Sequence, residues 1–303
     1  MTTRAMNAMA GFDWLKNGIN LGRTNPKAVF GGAALLLVGV IAATFAGGLL
    51  AGVLLAMLGS GITGMAVAFL VVALPVLVVM GMLMVGYLRL VAAVESGRPA
   101  GAFDVFGGFT DRATSLRVIG FVLLLQLAQY VLMIGLLSAF AGDVIEWYMQ
   151  LIQASATGAT PDLAGMPEGL GIAYLVMGVL GLVFFGIQSV GLYQIVLRGR
   201  GVFNALGDGF AGTFKNLLPL LVLMVAYVVA LIVVVIAAVL LVLLVGLLAK
   251  LVGAWLGLVI GAVLYVAFLL ACCVVAFGVM YHLWRDVCSG DDLAAVPADA
   301  LTA

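Results

Sequence analysis

Charge is what this chain has least of. Lys and Arg number 13 and Asp and Glu 13 among 303 residues, 9% in all, whereas soluble domains carry about 25%. The two signs cancel to a net charge of zero, so no nucleic-acid or acidic partner is expected. Histidine occurs once, as His282. A lone histidine cannot build a zinc site without several Asp, Glu or Cys ligands. The cysteines are three. Cys272 and Cys273 are adjacent and, on a helix, point about 100° apart, and Cys288 lies beyond their apolar run. That excludes a disulfide framework and a C-x-x-C motif. H-E-x-x-H, P-loop and G-x-S-x-G patterns are also missing, and no cofactor, metal or catalytic residue is expected.

What is present is grease. The chain is 66% hydrophobic with a mean hydropathy of +1.32. Between Lys215 and Lys250, 34 residues pass without a charge. As a helix that run is about 51 Å long, while the hydrocarbon core of a bilayer is roughly 30 Å thick. It reads as a membrane-spanning helix with length to spare. A cleaved signal peptide is not expected, because a mixed, helix-like lead-in precedes an apolar run too long for one.

The rest of the chain supplies partners for this helix. Ala28 to Leu88 is free of charge and long enough for two spans, broken by the turn GSGITG at 59–64. The expected fold is all-α and polytopic. Six transmembrane helices fall at about 29–57, 64–90, 117–141, 170–197, 217–246 and 252–283 in a single domain, 1–288. A disordered tail, 289–303, follows. Pro75 falls inside the second span and is expected to kink it. Residues 143–168 form the longest polar stretch and hold no Lys or Arg. Their first part reads as an interfacial helix with Trp147 and Tyr148 at headgroup level, and the remainder as a loop.

Interfacial amphipathic helices are expected before spans 1, 3 and 5. Phe12, Leu15 and Ile19 share one face of the first; Phe103, Phe106 and Phe109 mark the second; Phe203, Leu206 and Phe210 mark the third. F-x-x-[LF] recurs in each, with its Phe spaced by 91 and 100 residues. Either a parallel repeat of two-span units about an axis along the membrane normal or the common need of interfacial lead-ins for Phe and Arg accounts for this. Twelve of the 13 basic residues fall on one side of the threading; only Lys250 falls on the other. By the positive-inside rule both termini are then cytoplasmic.

Every charge lies at a predicted span end or outside. A charge at the bilayer centre costs about 2.5–3.5 kcal/mol on insertion scales and is retained mainly for function. Its absence argues against a proton-coupled pump or a charge-relay enzyme. The polar residues within spans are few. Gln126, Gln129 and Tyr130 share a face of the third span, and Gln188, Tyr193 and Gln194 lie on the fourth. In lipid such amides need partners, so the two sets are expected to face each other. They serve as contacts between helices or as the polar lining of a cavity. Gly253, Gly257 and Gly261 form G-x-x-x-G-x-x-x-G on the sixth span, a pattern that lets backbones approach closely. Packing within the chain is expected of them in preference to a dimer seam. His282, near Arg285 and Asp286, reads as an interfacial residue.

Phe12-Asp13-Trp14-Leu15 with a following Asn25-Pro26, the lead-in FNALGDGFAGTFKNLLPLL, and Tyr281 followed by Trp284-Arg285-Asp286 are similar to a family of bacterial multi-pass integral membrane proteins with no assigned activity. The resemblance implies an inner-membrane location and supplies no catalytic residue. The partner this sequence requires is the lipid bilayer, and a membrane-protein partner or a second copy is compatible with it. The leading functional expectation is a non-enzymatic scaffold or accessory protein. The alternative is a permease or flippase-like carrier of a neutral or amphipathic molecule. A third reading is an enzyme at the cytoplasmic interface using His282, Arg285 and Asp286. Reporter fusions test the threading: fusions at Arg98 and at Asp162 are expected to report opposite compartments, and the same compartment for both would refute it.

Overall fold

In a computed structural model, residues 3–59, 61–156 and 167–288 are described. They are helical almost throughout, with no strand among the described residues. The helices are α1 (Ala10–Asn20), α2 (Pro26–Leu58), α3 (Ile62–Glu95), α4 (Arg112–Phe140), α5 (Gly142–Ala156), α6 (Leu170–Arg198), α7 (Val202–Lys215), α8 (Leu217–Val252) and α9 (Ala254–Cys288). Six of them, α2, α3, α4, α6, α8 and α9, are long and apolar enough to cross a membrane. The expected tail, 289–303, and the loop residues 157–166 lie outside the described residues.

Local chemistry sets the helix ends. Asn25 caps α2, its side chain accepting from the Ala28 N–H, and Pro26 follows at the first turn, where its missing N–H costs nothing. Asp111 caps α4 by accepting from the Thr114 N–H, and it also pairs with Arg89 of α3. Partial burial opposes ionisation of Asp111, but the bonds from Arg89 and Thr114 prevail and hold its carboxyl below the usual range. That stabilisation is present above the unfolded pKa and is lost as pH falls through the lower folded one. Gly199, at φ +64°, ends α6 in the left-handed conformation, its N–H returning to the Gln194 and Ile195 carbonyls. Pro75 sits inside α3 without ending it. The second lead-in takes a tighter form than the α-helix: Ala102–Phe109 is a 3-10 segment.

The short segments dock in a cyclic order. Ala102–Phe109 packs on α2 and α3, α7 packs on α6 and α4, and α1 packs on α8 and α9. Each thus covers the helix pair before it, and the first closes onto the last. The same position does the docking in all three. Trp14, Val105 and Ala205 each stand two residues after Phe12, Phe103 and Phe203, and each is fully buried. The phenylalanines themselves point away, 48, 75 and 80% exposed. In α1 the expected apolar face divides: Leu15 turns into the bundle, while Phe12 and Ile19 stay outside.

Hydrogen bonds between the lead-ins follow the same circuit. Asn25 Nδ2 donates to the Ala100 carbonyl (3.0 Å), Arg117 Nη1 to the Gly199 carbonyl (3.0 Å) and Asn216 Nδ2 to the Arg4 carbonyl (2.9 Å). Lys215 adds a bond to the Thr3 carbonyl, and the Arg4 N–H donates to the Val287 carbonyl. The two ends of the described chain therefore meet.

Packing is uneven along the helix axes. Burial concentrates at the charge-rich end, in Leu83–Val94 of α3, Thr114–Leu125 of α4, Phe184–Val196 of α6 and Val274–Cys288 of α9. Two close approaches make this possible. A Cβ on Gly86 would run into the Val105 backbone carbonyl, and one on Gly278 would come within 2.8 Å of the Gly18 Cα. Toward the other end the helices part. No described residue of α8 beyond Leu223 is buried, and none of α9 before Val274. Gly86→Ala is accordingly expected to lower stability by about 1–3 kcal/mol through overpacking. Gly135→Ala, where a Cβ meets nothing within 4 Å, is expected to be neutral or to stabilise by about 0.5–1 kcal/mol. Thermal unfolding in detergent distinguishes the two.

Candidate functional site

Where the helices part, a groove of about 680 Å³ opens between α6, α8 and α9. Gly178, Gly181, Leu182 and Phe185 form its α6 wall; a Cβ at either glycine would meet nothing within 4 Å. Leu223 and Tyr227 line it from α8, and Phe268 and Cys272 from α9. Leu15 and Ile19 of α1 close the end nearer the charges. No Asp, Glu, Lys, Arg or His lines the groove. Its volume falls within the roughly 300–1,000 Å³ of small-molecule sites. Its chemistry is that of the hydrocarbon around it, with the Tyr227 hydroxyl and the Cys272 thiol as the exceptions.

Beyond α1, at the charge-rich end, lies a buried polar cluster. His282 Nε2 stands 3.4 Å from Glu95 Oε2, joining α9 to α3. The contact is not aligned as a hydrogen bond, and neither ring nitrogen of His282 has one. His282 is only 3% exposed, so it is a bundle residue where the sequence suggests an interfacial one. Tyr193 is stacked on Trp284 (5.4 Å) and packs edge-on to Tyr281 (5.5 Å), and its hydroxyl donates to the Phe277 carbonyl. Tyr87 donates to the Val29 carbonyl. These tyrosines come from the second helix of each hairpin and knit the three together. Arg198 lies 5.6 Å over Trp284, and Trp14 Nε1 donates to Asp286 Oδ2 (3.0 Å). Asp286 is thus engaged in fastening α1 to α9.

The polar residues singled out from the sequence divide between environments. Tyr193 and Gln194 are fully buried on α6, Gln126, Gln129 and Gln188 are half-buried, and Tyr130 is 56% exposed. Gln194 lies beside the Cys288 thiol, with neither its Oε1 nor its Nε2 in a hydrogen bond of ordinary geometry. No hydrogen bond joins the α4 set to the α6 set among the described residues, and none of the six lines the groove. The α4–α6 contact is instead made where the Phe121 ring fills the space beside Gly191. On α9, Gly253 occupies the turn after α8 at φ +137°, Gly257 faces Ala249 of α8, and a Cβ on Gly261 would meet nothing within 4 Å.

The groove residues escape sequence reasoning because each is unremarkable within its own helix. The one available signal was Tyr227, a hydroxyl inside the longest apolar run. Glu95 and Trp14 were missed as partners of His282 and Asp286, which lie far away along the chain. Among the described residues no three His, Cys, Asp or Glu side chains gather as a metal site needs.

The fold defines a multi-pass α-helical membrane protein with a lipid-depth groove. No protein-family model matches the chain, and no curated protein or solved structure matches it significantly.

The Gln194 amide, set against the weakly bonding Cys288 thiol, permits a direct check on the polar cluster. Replacing both bonding atoms by apolar ones of similar shape is near neutral or stabilising where their demand is unmet. Gln194→Met is expected to leave the unfolding midpoint in detergent unchanged or raised; a fall of several degrees would show that the amide is bonded.

Proposed function

We propose that this chain is a non-enzymatic protein of a bacterial inner membrane, with both termini cytoplasmic, that holds an amphipathic, lipid-like molecule in the groove between α6, α8 and α9. The carrying observation is the groove itself: a concave, uncharged space among the spans, with Gly178 and Gly181 leaving room on its α6 side. A molecule with a long apolar part fits that chemistry, and a charged solute does not, because nothing there offsets its desolvation. The gathering of Arg4, Arg89, Arg117, Arg198, Lys215 and Arg285 at one end of the bundle, against Lys250 at the far end of α8, supports the orientation.

A second reading, a scaffold for a membrane-protein partner or a second copy, is favoured by a separate observation. The far halves of α8 and α9 present Val233, Leu240, Leu244, Leu258 and Val263 outward with no covering element among the described residues.

Filling the groove separates the two. Gly178→Leu combined with Gly181→Leu adds bulk where no atom stands in the way. Under the first reading, lipid retained per molecule after detergent purification and solvent extraction is expected to fall by half or more, with the unfolding midpoint maintained. Retention equal to that of the parent protein would contradict it.

A further inference from the structure

The groove has one hydroxyl, and no protein group engages it. Tyr227 lines the α8 wall, is half exposed, and makes no hydrogen bond among the described residues. Elsewhere in the bundle the tyrosines of the packed end behave differently: Tyr87 and Tyr193 each spend their hydroxyl on a backbone carbonyl of a neighbouring helix. A phenolic O–H facing hydrocarbon without a partner is costly, and a guest with an acceptor relieves that cost.

Its depth indicates which acceptor. α8 has 36 residues and is about 54 Å long, so it overhangs a hydrocarbon core of roughly 30 Å by about 24 Å. Shared between the two ends, the overhang is about 12 Å at each. Tyr227 is the eleventh residue of α8, about 15 Å from its start. It therefore lies within one helical turn of the edge of the core, where acyl chains join their polar heads. Resting on the lipid-holding role above, we infer that Tyr227 donates a hydrogen bond to the ester carbonyl of an uncharged acyl lipid whose chain fills the groove. Gly178, Gly181 and Phe268 bound the chain, Tyr227 reads the ester, and the absence of any lining charge excludes an ionic head from the cleft.

Native mass spectrometry of the full chain in detergent, titrated with monooleoylglycerol, with octadecane or with an anionic dioleoylphosphatidylglycerol, tests this. Tyr227→Phe removes one exposed hydroxyl and leaves the packing unchanged; its unfolding midpoint serves as the control. Monooleoylglycerol is expected to bind Tyr227→Phe about five-fold more weakly than the parent, as loss of one hydrogen bond implies, and octadecane to bind both equally. Equal affinity of monooleoylglycerol for the two proteins overturns the role of Tyr227 and leaves the groove reading intact. Tighter binding of the anionic lipid than of the neutral one overturns the uncharged class. Undiminished monooleoylglycerol binding by the Gly178→Leu, Gly181→Leu protein overturns the groove reading itself.

Discussion

In hydrocarbon, pressing one apolar side chain against another gains little, because lipid tails are as apolar as the helices they solvate. Association has to come from contacts that lipid cannot imitate: backbone approaching backbone, and polar groups bonded across helices. This chain concentrates both at one end. Gly86 against Val105 and Gly278 against Gly18 bring backbones together. Tyr87, Tyr193, Asn25 and Asn216 donate to carbonyls of other elements. Where those devices stop, near Leu223 of α8 and Val274 of α9, burial stops as well. The groove is the direct result. It lies where the helices have left the bonded zone and nothing obliges them to close.

The three short segments translate this constraint into architecture. None spans a membrane, yet each brings a small or flat docking residue (Trp14, Val105, Ala205) into a helix pair that it does not itself belong to. A shared docking position and a shared circuit of lead-in bonds are hard to derive from a common need for Phe at an interface, since the phenylalanines play no part in the docking. They fit a two-span unit used three times. The three segments differ in form, Ala102–Phe109 being 3-10 where α1 and α7 are α-helical.

Much of the fold was legible because its cause is one-dimensional. A charge-free run of sufficient length has to be a span, whatever its neighbours are, and the six runs appear as six helices. The 3-10 form of the second lead-in was not legible, because Phe103, Phe106 and Phe109 at intervals of three suit either kind of helix. The groove and the His282–Glu95 contact could not be read, since they depend on how α3, α6, α8 and α9 meet across long separations. The sequence marks the glutamines as scarce polar groups within spans. Their pairing does not follow from scarcity alone: Phe121 at Gly191 occupies the α4–α6 seam first.

The circuit closes through the earliest part of the chain. α1 and the Arg4 backbone are made well before the surfaces they dock on, Pro219 to Leu223 of α8 and Val275 to Val287 of α9. During synthesis the Trp14 face must therefore wait, uncovered, until some two hundred further residues have been threaded into the bilayer. A chain that stalls before its final hairpin keeps that face unburied.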